Sequence, residues 1–165
     1  MNQKENLEYY AVRNFIREYN RNHKRQFTFS SLHKPPMPDA VCKLNKREIG
    51  IEVVHSYGSG IEAAMRLGNR QESDFPKKKH LERRITPIGI RALNSLNERL
   101  FEKSKKEYSF LPVWLLIRNA FALWRLKEYK QNKNDIYIPE SHPFKQIWLL
   151  CDENSVGLNG ILRLA

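Results

Sequence analysis

The longest apolar stretch in the chain is Phe110-Leu111-Pro112-Val113-Trp114-Leu115-Leu116-Ile117, eight residues with a proline inside it. A membrane-spanning helix needs roughly 20 such residues, so this one is not a span. Its apolar side chains do not alternate with polar ones, which predicts a strand over 113–117 buried on both faces. A strand of that kind must be covered from two sides, and the remaining segments have to supply the cover.

They do so in a definite order. Val12, Phe15, Ile16 and Tyr19 recur at helical spacing and predict an amphipathic helix over 4–20, with Arg13, Arg17 and Glu18 on its other side. Alternation of Phe27 and Phe29 with polar residues predicts a strand over 26–30. Three prolines between His33 and Pro38 impose an irregular connection. Two short strands over 40–44 and 48–55 flank Asn45-Lys46-Arg47, which has the length of a hairpin loop. A loop over 56–60 and a short helix or ordered excursion over 61–70 come next. A long helix follows over 87–107, with Leu93, Leu96 and Leu100 on one face. Beyond the buried strand, a helix is expected over 120–130 and a last strand over 146–151. Helix, three strands, helix, strand, helix, strand is a mixed α/β sandwich with a hairpin at its centre. Three strands in succession without crossover helices exclude a doubly wound fold.

At 165 residues, against about 150 per domain, the expectation is a single domain over 1–165. Apolar residues at 41% and aromatics at 11% are enough for one core and too many for a disordered tail. Residues 1–8 are polar and charged, unlike a secretory signal, and Cys42 and Cys151 match no metal-ligand spacing. The expectation is a soluble, intracellular, cytoplasmic protein with reduced cysteines and no membrane partner. Lys and Arg total 29 against 18 Asp and Glu, a net charge of +11. An excess of this size points to a polyanion, nucleic acid first, with a solvated basic surface as the alternative. Lys77, Lys78, Lys79, Arg83 and Arg84 form the densest basic cluster and are the expected phosphate contacts.

Chemistry concentrates in Pro38-Asp39-Ala40-Val41-Cys42 and Ile49-Gly50-Ile51-Glu52-Val53-Val54. Strand alternation puts Glu52 on one face with Gly50 and Val54, and Ile49, Ile51 and Val53 on the other. A carboxylate among apolar neighbours is costly to bury unless it is paired or binds a metal. Two carboxylates on adjacent strands can hold one Mg²⁺ through oxygen at about 2.1 Å. Glu8 lies one turn back along the buried stripe of the first helix, and Glu5 a further turn back. The scattered histidines have no zinc spacing, and the chain has neither a Gly-rich phosphate loop nor a nucleophile elbow around Ser56 and Ser59.

Pro38-Asp39, a gap of twelve residues, then Glu52-Val53-Val54 resembles the PD-(D/E)XK nuclease superfamily, and the element order agrees with its restriction-endonuclease-like αβββαβ core. The resemblance implies a Mg²⁺-dependent nuclease acting on DNA rather than RNA, with Mn²⁺ as a substitute. It implies Asp39, Glu52 and the Val53 carbonyl as metal ligands and Glu8 as a helper. It also implies a homodimer where both strands of a duplex are cut. One position departs from the pattern: the superfamily's lysine belongs two residues after Glu52, where this chain has Val54. His55 is adjacent but belongs to the opposite strand face. Lys103, which continues the stripe of the long helix, is the preferred replacement, ahead of Lys105 and Lys106. The rival reading is a nuclease fold that binds nucleic acid without turnover.

Overall fold

Asn2 starts the first helix. Its side chain accepts from the Glu5 N–H at 2.8 Å, and Glu5 Oε2 accepts from the Asn2 N–H at 2.9 Å, a reciprocal cap that satisfies two otherwise unpaired donors. Helix α1 (Gln3–His23) ends at Lys24, whose φ of 51° turns the chain out in a left-handed cap. The computed structural model describes residues 1–58, 87–152 and 160–165.

Strands β1 (Phe27–Leu32), β2 (Ala40–Leu44) and β3 (Arg47–Ser56) form an antiparallel meander. The β2–β3 turn is two residues long, because Leu44 pairs with Arg47 and both Asn45 and Lys46 have positive φ. That backbone matches the twist of the strands it joins. Helix α2 (Ile88–Ser104) then leads to β4 (Val113–Asn119), which runs parallel to β3. Next come α3 (Leu126–Gln131), a 3₁₀ turn (Lys133–Asp135) and β5 (Phe144–Cys151), parallel to β4. Strand β6 (Gly160–Arg163) closes the sheet antiparallel to β5. The result is a six-stranded mixed sheet in the order β1-β2-β3-β4-β5-β6, with helices on both faces.

Strand β4 is buried on both sides, as its unbroken apolar run predicts. Trp114 and Leu116 join Phe15, Tyr19, Ile51, Val53 and Trp148 under α1. Val113, Leu115 and Ile117 join Ala92, Leu96, Leu100 and Tyr129 under α2 and α3. Cys42 and Cys151 are buried and form no disulfide. Among the described residues no helix is long and apolar enough to cross a membrane.

Two expectations need correction. The helix expected over 120–130 forms only at Leu126–Gln131. Asn119 prevents an earlier start: its Oδ1 accepts from the Phe121 N–H and the Tyr129 hydroxyl, and its Nδ2 donates to the Trp124 carbonyl. These bonds draw 120–124 into a turn, as a short amide side chain competing with a helix does. The strand expected over 146–151 starts two residues earlier and is not the last, because β6 follows it. Four residues are too few for an alternation pattern to announce β6. Both 61–70 and the basic cluster Lys77, Lys78, Lys79, Arg83 and Arg84 lie outside the described residues.

Candidate active site

In the β2–β3 ladder Ala40 pairs with Ile51 and Val41 with Gly50. Asp39 is the residue just before this ladder, and one more step in the same register would set it opposite Glu52. Ala40, Cys42, Ile51 and Val53 belong to the core beneath α1, so Asp39 and Glu52 share the other face, the one α2 covers. Both are buried, at 8% and 3% exposure.

Pro38 fixes the approach to Asp39 by lying directly on β3 at Gly50. A Cβ at Gly50 would stand 2.5 Å from the Pro38 ring and 3.1 Å from Phe110, so no other residue fits under that ring without movement. Asp39 Oδ2 then accepts from the Val53 N–H at 2.8 Å, which ties its carboxyl to the Glu52–Val53 peptide. Burial and, after it, the charge of Glu52 push the Asp39 pKa up to about 6, against the pull of the Val53 N–H and Lys103.

The cation comes from α2. Ala92, Leu96 and Leu100 seat the helix on the sheet, and its last turn swings Lys103 over β3. Lys103 Nζ lies 2.6 Å from Glu52 Oε1, and Lys106 Nζ 3.6 Å from the same oxygen. Lys105 turns away, with its ammonium 3.8 Å from the Phe101 ring centre. Val54 packs partly buried against the core beneath α2 and α3, so an alkyl group occupies the motif's lysine position.

Glu8 projects from α1, the opposite layer. It is buried and paired with Lys4 at 3.1 Å, and its charge also raises the pKa of Asp39. Glu5 is engaged in the helix cap. Among the described residues no group of three His, Cys, Asp or Glu side chains is placed to hold a metal ion, so Glu8 does not close with Asp39 and Glu52 into a three-carboxylate set.

Lys4 and Tyr108 carry no motif and escape a sequence reading. Lys4 lies within the field of Asp39 and Glu52 as well as that of Glu8. Tyr108, beyond α2, packs on Phe144, and burial and the two site carboxylates push its phenol pKa upward. The i, i+4 spacing of Lys4 and Glu8 is the only signal that could have found either residue.

His55 falls on the α1 side, as strand alternation requires. Its ring nitrogens are buried without hydrogen bonds, and burial followed by Arg118 lowers its pKa to about 4. It is therefore neutral at pH 7. Nearby, Asp152 accepts from Arg118 Nε at 2.8 Å and from Asn14 Nδ2 at 2.6 Å, which pins β4, β5 and α1 together. Ser56 donates to Ser95 at 3.1 Å, tying β3 to α2. Trp114 and Trp148 are core residues.

No family model, no curated protein and no solved structure matches the chain.

Proposed function

We propose that the chain is a metal-dependent nuclease that hydrolyses phosphodiester bonds in DNA, on a restriction-endonuclease-like fold. The observation that carries this reading is the Lys103 ammonium 2.6 Å from Glu52, on the sheet face that also bears Asp39. It is the cation–carboxylate pair such a site needs, delivered from α2 in place of the strand position held by Val54.

The donor set suits a hard divalent cation. Asp39, just before β2, and Glu52, in β3, offer carboxylate oxygens, with Asp39 Oδ2 accepting from the Val53 N–H and Glu52 Oε1 from the Lys103 ammonium. Their mutual repulsion is the kind that Mg²⁺, or Mn²⁺ in its place, relieves. The Val53 carbonyl is a further group that the resemblance names, while Glu8 stands apart, paired with Lys4. When bound, the metal supplies Lewis-acid stabilisation of phosphoryl charge and makes a water more acidic.

The protein's own groups do the rest. Lys103 pairs with Glu52, and with a metal held by the two carboxylates it would be left to face the phosphate. There it offsets the charge that grows in the transition state. Lys106 stands behind it as a second cation. Burial of Asp39 and Glu52 keeps bulk water from screening their charges.

The test is cleavage of supercoiled plasmid with Mg²⁺ and then with Mn²⁺. The wild type should nick or linearise it, and Asp39→Asn and Glu52→Gln should not. Lys103→Met should cut about 10²- to 10³-fold more slowly, as for loss of one electrostatic donor, with DNA affinity kept. A wild type that binds DNA but cuts with neither metal would be a binding module instead. One that neither binds nor cuts would refute the nucleic-acid reading altogether.

A further inference from the structure

The outer face of α1 carries a regular series. Tyr10, Arg13, Arg17 and Arg21 are spaced by three or four residues, so they fall on one narrow ridge of the helix, and Lys24 follows at its C-cap. All five are exposed, and Tyr10 remains 60% accessible. Arg13, Arg17 and Arg21 step along the axis by about 6 Å each, a spacing comparable with that of successive phosphates in an extended strand. Among the described residues the carboxylate paired with this ridge is Glu18, which contacts Arg17 at 3.5 Å and Arg21 at 2.5 Å. Three arginines against one carboxylate leave the ridge strongly positive.

The ridge borders a groove of about 490 Å³ between α1 and the edge strand β1, lined in part by Arg13, Arg17, Thr28 and Phe29. Tyr9 packs edge-on against Phe29 at 5.2 Å and against Tyr10 at 5.7 Å, and Arg13 sits 6.0 Å from the Tyr9 ring centre. Three aromatic rings therefore cluster beside the Arg13 guanidinium at the end of the ridge nearest Glu8.

We infer that this ridge and groove bind single-stranded nucleic acid, with Arg13, Arg17 and Arg21 on successive phosphates and a base stacked on Tyr10. The choice of ligand rests on the nuclease reading. A single strand is favoured over a duplex because an exposed ring can stack on a base only where the base is unpaired. The upper end of the track lies within one helical turn of Glu8.

The experiment measures binding of a fluorescein-labelled 20-nucleotide single strand in EDTA across a salt series, with a duplex of the same sequence alongside. Because Glu18 is buried against Arg17 and Arg21, the main variant is Arg13→Gln/Arg17→Gln/Arg21→Gln/Glu18→Gln, which leaves no orphaned carboxylate, with Glu18→Gln alone as its control. A second variant, Tyr10→Ala/Arg13→Gln, removes no buried group. The main variant should bind at least tenfold more weakly than its control. Its slope of log K against log salt should be shallower by about 2, since each phosphate contact on a single strand contributes about 0.7. Tyr10→Ala/Arg13→Gln should lose more affinity for the single strand than for the duplex. Unchanged affinity and slope, in a protein that still cuts plasmid, would overturn the track and leave the nuclease reading standing. A wild type that neither binds the strand nor cuts plasmid would remove both.

Discussion

Asp39 is a carboxyl whose environment works against its charge. In the metal-free protein it is pushed up to about pKa 6 by burial and by Glu52, from an unfolded value near 3.8. The folded state therefore holds a proton that the unfolded state has already lost between those two values. Stability falls as pH rises from about 4 to 6, and above pH 6 the ionised carboxylate costs on the order of 2–3 kcal/mol. Asp39→Asn should remove that cost. In EDTA the variant should melt above the wild type at pH 8, and the gap should close towards pH 4.5. His55 acts the other way, since its pKa lowered to about 4 makes the fold lose stability as pH falls below 6.5. Comparing variant with wild type at each pH separates the two residues. A gap that does not change with pH would mean that Asp39 is not the strained group. Under the nuclease reading the same substitution ends cleavage, so the site would trade stability for function at one carboxyl.

At the scale of elements, the contact between the 33–38 connection and β3 positions the site. Pro38 lies on Gly50, and Asp39 is the next residue. Gly50→Ala forces a methyl group into the Pro38 ring, an overpacking that should cost about 1–3 kcal/mol in urea unfolding. It should also displace Asp39 from the Val53 N–H, so under the nuclease reading cleavage should fall more than stability alone explains. Full activity in Gly50→Ala would show that the Pro38 contact does not set the carboxyl. Helix α2 is the second positioning element. Leu100 is 1% exposed one turn before Lys103, and Leu100→Ala should cost about 2–5 kcal/mol as the cavity it leaves only partly collapses.

Across the whole molecule, a metal bound between Asp39 and Glu52 would bind only the folded chain. Mn²⁺ at about 100 times its dissociation constant should then add about 2.7 kcal/mol of stability, and Asp39→Asn should abolish the gain. Equal shifts in both proteins would place the ion elsewhere. Local periodicity and turn chemistry, which act within a few residues, are enough to read the amphipathic α1, the hairpin between β2 and β3 and the doubly buried β4. The turn's length of two residues, not the three of Asn45-Lys46-Arg47, comes instead from the pairing of Leu44 with Arg47. The sequence alone also brings Asp39 and Glu52 to neighbouring strands, because hairpin pairing is local. Only the tertiary structure decided which cation meets Glu52, since Lys103, Lys105 and Lys106 share one helix end and the docking of α2 through Ala92, Leu96 and Leu100 turns the first towards the sheet and the second away. It also decided that 120–124 is a turn and that β6 extends the sheet, because Asn119's bonds and the edge of β5 come from distant packing that no local pattern encodes.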